Sequence, residues 1–191
     1  SAIGGQTLNP YGRKIHDTGG SSAASGVSMA ANYAVAAVGT ETSGSILSPS
    51  SSNSIVGLKP TIGLLSRSGI VPISSTLDTP GPMTKNVIDN AILLSALSGE
   101  DTDDIATKNN PKDIEYWREL ENGTLAGIRF GVIANFLEDS LYKINVDKIS
   151  AAGGVIVEIE PDNMDFEGFG TLLSADMKID LPEYLSKYGS D

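Results

Sequence analysis

The chain has 191 residues, of which 40% are hydrophobic and 19% charged, so it is long enough to bury a core and too apolar to be disordered. Thirteen Lys and Arg against 24 Asp and Glu give a net charge of −11, which excludes a surface that gains affinity by releasing counterions from phosphate; direct nucleic-acid binding is not expected. Without Cys, and with His16 as its one His, the chain offers no disulfide framework, no thiolate or His-cluster metal site and no thiol nucleophile, and no cofactor is expected.

Residues 1–20 are rich in turn formers, among them Gly4, Gly5, Asn9, Pro10, Gly12, Gly19 and Gly20, and read as a long loop with exposed His16 in it. From Ser22 to Val38 small and apolar residues surround nearly the whole helical circumference, which predicts one buried helix over 22–38. A Gly, Ser and Thr-rich stretch follows, then a short strand at 54–58 and a second extended piece at 70–73. Apolar residues at helical spacing after Thr84-Lys85-Asn86 predict a helix over 87–97, and the charged residues 100–104 read as a linker.

Beyond it the pattern is β-α-β: a strand at 128–133, a helix at 140–152 stopped by Gly153-Gly154, and a strand at 155–159. A last helical stretch, 172–188, is expected to be interrupted near Pro182. This alternation predicts an α/β fold, a mixed β-sheet covered by helices on both faces. Charge is unequally shared, with five basic and four acidic side chains in residues 1–97 but eight and twenty in residues 98–191. Residues 1–100, nearly neutral and rich in Gly and Ser, are expected to form one region and residues 101–191 a peripheral α/β region. No apolar run reaches the length of about 18 residues that a membrane span needs, and residues 1–20 lack the layout of a secretory signal. A cytoplasmic protein with no membrane partner is expected, which the absence of Cys fits.

Two serine clusters stand out, Gly19-Gly20-Ser21-Ser22 and Thr40-Glu41-Thr42-Ser43-Gly44-Ser45-Ile46. A helix of about 17 residues between them would carry the chain roughly 25 Å away, so helical geometry alone does not bring them together. These clusters, with Val56-Gly57-Leu58-Lys59-Pro60-Thr61, Ser66-Arg67, Gly69-Ile70-Val71-Pro72, Leu77-Asp78-Thr79 and Gly81-Pro82, resemble the signature region of the amidase signature family. The resemblance is dense over residues 4–97, and Gly4-Gly5-Gln6-Thr7-Leu8-Asn9-Pro10-Tyr11 is most similar to the family's peptide-amidase branch.

The resemblance implies a Ser-Ser-Lys triad that cleaves amide bonds, with Ser45 as nucleophile and Ser21, after a cis peptide bond, as bridging relay. A hydroxyl attacks only when a base takes its proton, and in the triad that the resemblance implies that base is a lysine kept neutral by burial and positive neighbours. The backbone N–H groups of Thr42, Ser43, Gly44 and Ser45 would form the oxyanion hole. Ser22 is expected as an N-cap or an orienting partner, and Glu41 as support for the loop. Arg67 and Asp78, flanking an apolar segment, are expected to form a structural ion pair or to line the pocket, and the structural part is favoured.

Three departures from the family bear on function. Ser43 stands where a second Gly is usual, at a cost if that position needs positive φ. Leu47 stands where an Arg that binds a carboxylate is frequent, which favours a neutral amide. The catalytic lysine lies several tens of residues before the bridging serine, and Lys14 does not match it, so with a first residue, Ser1, that is not Met the chain is expected to be a truncated piece, inactive alone. Ser140-Leu141-Tyr142-Lys143 has Ser-x-x-Lys spacing without the accompanying motifs and is a chance match.

The expected function is therefore that of an amidase acting on linear carboxamides, through an acyl-serine, with a small-molecule or peptide amide as substrate. The alternatives are a non-catalytic structural or interaction module on the same scaffold, and the amidase component of a glutamyl-tRNA amidotransferase. A truncated sheet also predicts a homodimer or domain swap.

Overall fold

The computed structural model describes residues 4–118, 120–160 and 166–189. In chain order its elements are α1 (Ala23–Ala30), β1 (Ala37–Glu41), α2 (Leu47–Ser52), β2 (Val56–Gly57), β3 (Thr79–Thr84), α3 (Val87–Leu97), β4 (Arg129–Ile133), α4 (Ser140–Ala151), β5 (Val155–Ile159) and α5 (Phe169–Tyr188). They fall into two compact units, residues 1–118 with 168–191 and residues 119–167.

In the first unit β1 and β2 both run antiparallel to β3, which lies between them with Gly39 opposite Gly81 and Gly57 opposite Met83. Sequence pattern does not mark β3, because it reads Thr-Pro-Gly-Pro-Met-Thr, yet all six of its residues are buried. A proline cannot donate to a ladder and is unusual in a central strand. Pro80 and Pro82 share one parity, and the Pro82 carbonyl accepts from Leu58 N (3.1 Å), so both missing N–H groups face the β2 side, where β2 is only two residues long. The ladder to β1 is thereby left intact. The extended piece expected at 70–73 is instead part of a loop, and the strand expected at 54–58 shrinks to β2.

The helix expected over 22–38 is also corrected. α1 ends at Ala30, Asn32 takes a left-handed φ of 61°, and the chain turns back into β1. Pairing of Val38 with Pro82 overrides the helix propensity of the alanines. Of α1 only Gly26 and Met29 are buried, while Val35, expected inside, is 88% exposed.

Helix α3 matches the expected 87–97, with the Asn86 side chain accepting from Asp89 N (2.8 Å). Residues 100–104 are a packed turn rather than a linker: Asp104 is buried and Asp101 accepts from Ser66 Oγ. Helix α5 runs unbroken through Pro182. Contacts on either side hold its two halves in line, Asp176 and Asp180 to Ser74 and Ser75 before the proline, and Tyr184 and Tyr188 to Gly69 and Ser68 after it.

The second unit is the expected β-α-β. β4 and β5 pair in parallel, from Arg129 with Val155 to Ile133 with Ile159, and α4 connects them. The Asp139 side chain caps α4 by accepting from Tyr142 N (2.8 Å), and among the described residues of this unit Val132 and Val146 are the buried apolar ones. The fold class is thus α/β as expected, with antiparallel pairing in one unit and parallel pairing in the other. Among the described residues no helix is long and apolar enough to cross a membrane.

Candidate active site

Ser21 sits at the end of the first loop, after a cis Gly20–Ser21 peptide bond, and its side chain is exposed. Two buried amides fix that loop. Asn9 Nδ2 donates to Asp17 O (2.9 Å) and Ser52 O (2.7 Å), and Asn53 Nδ2 donates to Thr18 O (2.9 Å) and Pro49 O (2.8 Å). Gly19 is required between them: its φ is +62° and a Cβ there would lie 2.7 Å from Pro49 N. The loop is thus pressed against α2, the helix that follows Ser45.

The second loop leaves β1 at Glu41. That carboxylate, 4% exposed, accepts from Ile46 N (2.7 Å) and Leu47 N (3.0 Å), which folds residues 42–45 into a tight bend. Gly44 takes φ +82°, whereas Ser43 is not among the positive-φ residues, so a serine in place of the usual glycine meets no left-handed strain. Among the described residues the N–H groups of Thr42, Ser43, Gly44 and Ser45 have no acceptor, and the hydroxyls of Ser21 and Ser45 have no partner.

The two loops meet at Ser22, whose N–H donates to Ser45 O (3.2 Å). Its hydroxyl does not cap α1. Instead it donates to Thr40 O (3.1 Å) and accepts from Thr40 N (3.0 Å), stitching the first loop to the free side of β1. The long helical excursion between the clusters does not arise, because eight residues of helix rise only about 12 Å and β1 returns the chain.

Next to this bend lies a network of carboxylates. Thr42 Oγ1 donates to Asp78 Oδ1, while Asp78 Oδ2 accepts from Ile73 N (2.7 Å) and Ser74 N (2.8 Å). Arg67 pairs not with Asp78, as expected, but with Asp104, through Nη2–Oδ1 (2.7 Å) and Nε–Oδ2 (2.9 Å). The hydrogen bonds from Arg67 hold the Asp104 carboxyl at about 2, against the opposing effect of burial, and Asp104 in turn raises the guanidinium. A cleft of about 240 Å³ opens beside Asp78, lined also by Ile70, Asp180, Tyr184 and Tyr188.

The structure brings together Ser22, Glu41, Thr42, Ser43, Gly44 and Ser45, with Ser21 next in chain to Ser22. Sequence reasoning missed Asn9 and Asn53, which give no periodic signal, and the partners of Asp78. Leu47 is 48% exposed at the start of α2, close in chain to Ser45. Ser140-x-x-Lys143 has no catalytic setting, since Lys143 pairs with Asp147 (3.0 Å) on the surface of α4.

Comparison with known proteins agrees with this architecture. The model of the family described as Amidase matches residues 1–168, and the chain belongs to that family. It is similar to a putative amidase of Arthroderma benhamiae, 38% identical over 98% of this chain and 34% of that protein. Its structure superposes on the peptide amidase of Stenotrophomonas maltophilia with a TM-score of 0.91 and 41% identity, covering 98% of this chain and 40% of that one. A glutamyl-tRNA(Gln) amidotransferase subunit of Corynebacterium glutamicum is 34% identical over 84% of this chain and 34% of its own length. The chain thus spans between a third and two fifths of the length of each of these three proteins.

Proposed function

We propose that these residues supply the serine-bearing part of an amidase that opens the C–N bond of a neutral linear carboxamide, other than a peptide bond, through an acyl-Ser45 intermediate. The observation that carries this is the junction Ser22 N to Ser45 O, which sets two hydroxyls without partners among the described residues, those of Ser21 and Ser45, on loops fixed to one another. Ser45 Oγ attacks the carbonyl carbon while its proton passes to Ser21 Oγ, and Ser21 gives its own proton to the base. The resemblance assigns that base to a lysine that these residues do not contain. Negative charge on the carbonyl oxygen is met by the N–H groups from Thr42 to Ser45, which have no other acceptor among the described residues. Collapse expels the amine, protonated through Ser21, and water then releases the acid from Ser45.

Leu47 supports a neutral substrate, because an exposed aliphatic side chain there offers a carboxylate no counter-charge. The test is Ser45→Ala in the protein expressed from its complete reading frame, assayed on peptide amides and simple carboxamides. Turnover should fall at least ~10³-fold with unchanged thermal stability. Retained turnover would sink the assignment, and absence of turnover before any substitution would favour a structural module.

A further inference from the structure

Two carboxylates grip the bend that holds Ser45, and only Glu41 lies in the same short segment as that serine. Glu41 fixes the far end, through Ile46 N and Leu47 N. The near end is fixed by Asp78, a residue 36 positions away in sequence from Thr42, whose hydroxyl it accepts. Asp78 is well placed for this because it directly precedes β3, and Thr79 pairs with Glu41 across the ladder. Its second oxygen takes Ile73 N and Ser74 N, and Asp78 N donates to Ser74 O (2.8 Å), so the carboxylate cannot swing away from Thr42 without opening the turn.

That turn is held in its own right. Ser74, fully buried, donates its hydroxyl to Asp176, and Ser75 N donates to Asp180 Oδ2 (2.7 Å), both carboxylates belonging to α5. A continuous line of hydrogen bonds therefore runs from α5 through residues 73–78 to Thr42 and ends at the unpaired N–H groups of Ser43, Gly44 and Ser45.

We infer that Asp78 is a positioning residue for the reaction proposed above: it acts through the Thr42 hydroxyl to aim these N–H groups at the developing oxyanion, and it touches no reacting atom. The inference rests on the acyl-Ser45 reading. An aimed dipole matters only when charge develops, so its loss affects the chemical step and leaves ground-state binding nearly untouched.

The experiment compares Thr42→Val, Thr42→Ser, Asp78→Asn and the double variant Thr42→Val/Asp78→Asn, with Ser45→Ala as control, in the protein expressed from its complete reading frame. Thr42→Val should lower kcat about 10 to 100-fold with KM changed less than about threefold. Thr42→Ser, which keeps the hydroxyl, should restore most of the loss. Asp78→Asn should also lower kcat, and the double variant should be no slower than the slower single one, since both cut the same line. A Thr42→Val enzyme with wild-type kcat, equal losses in the Val and Ser variants, or multiplicative losses in the double variant would overturn the inference. Failure of Ser45→Ala to abolish turnover would instead overturn the reading beneath it. Should Asp78→Asn not fold, the Thr42 pair still decides the outcome.

Discussion

Residues 129–159 are ordered by a regular device, two parallel strands joined by a capped helix, with Val132 and Val146 buried and charged residues left on the outside. The unit that holds the serines uses another. Its buried set includes Asn9, Thr18, Glu41, Asn53, Ser74, Thr79, Thr84, Asn90, Asp104 and Thr107 beside only a few large apolar residues. There, loops are fixed by side chains that satisfy backbone groups: Asn90 Nδ2 on Pro82 O (3.0 Å), Asn110 Nδ2 on Leu64 O (3.0 Å), Glu41 on two N–H groups. The contrast shows where reactive groups can be kept. Helices and strands use up their own backbone donors, whereas an irregular loop clamped by buried amides and carboxylates can hold a few N–H groups and hydroxyls unpaired.

If this contrast is right, substitutions in the clamped unit should cost more than their size suggests. Removing the Asp104 carboxylate, as Asp104→Ala, strands the Arg67 guanidinium and should destabilise the protein by about 2–3 kcal/mol in chemical denaturation. The pair also fixes an acid dependence. Because Asp104 is depressed to about 2, its contribution is present above the ordinary aspartate range near 4 and is lost as pH falls toward 2; stability of Asp104→Ala should vary less over that interval. A variant with the wild-type acid profile would show that the pair is not what is titrating.

Asn53→Ala should follow, at about 1–2 kcal/mol, since it strips the donor from two buried carbonyls and frees the loop before Ser21. Gly44→Ala isolates the backbone's part, because a Cβ there meets no neighbour and only φ +82° resists it. The expected loss is about 1–2 kcal/mol of stability, accompanied by a fall in kcat that the stability change does not explain. In the other unit Lys143→Ala should cost only about 0.3–0.5 kcal/mol, its pair with Asp147 being exposed on α4, and leave activity unchanged. An effect of that substitution on turnover would break the division of labour between the two units.

Legibility in the sequence follows the same line. The β-α-β is readable to within a residue or so because alternation and helical spacing are what such elements require. So is α3, with its Asn86 cap. In the serine-bearing unit periodicity misleads: the alanines of 22–38 suggest one long helix, and nothing local says that Val38 must lie opposite Pro82. β3 is invisible because its prolines look like strand breakers unless the short reach of β2 is known. The candidate site fares differently. Ser21, Ser45 and their flanking glycines are legible through a resemblance to a family, while Asn9, Asn53 and the link from Asp78 to Thr42 depend on contacts made across the fold and leave no mark on the local pattern.

Everything proposed for the site depends on Ser45 being the residue acylated. The decisive test is to incubate the protein from its complete reading frame with a fluorophosphonate probe and map the labelled peptides. One adduct is expected, on Ser45, absent from Ser45→Ala and formed much more slowly in Ser21→Ala. An adduct on any other residue, or labelling of Ser45→Ala at the parent rate, would refute the assignment.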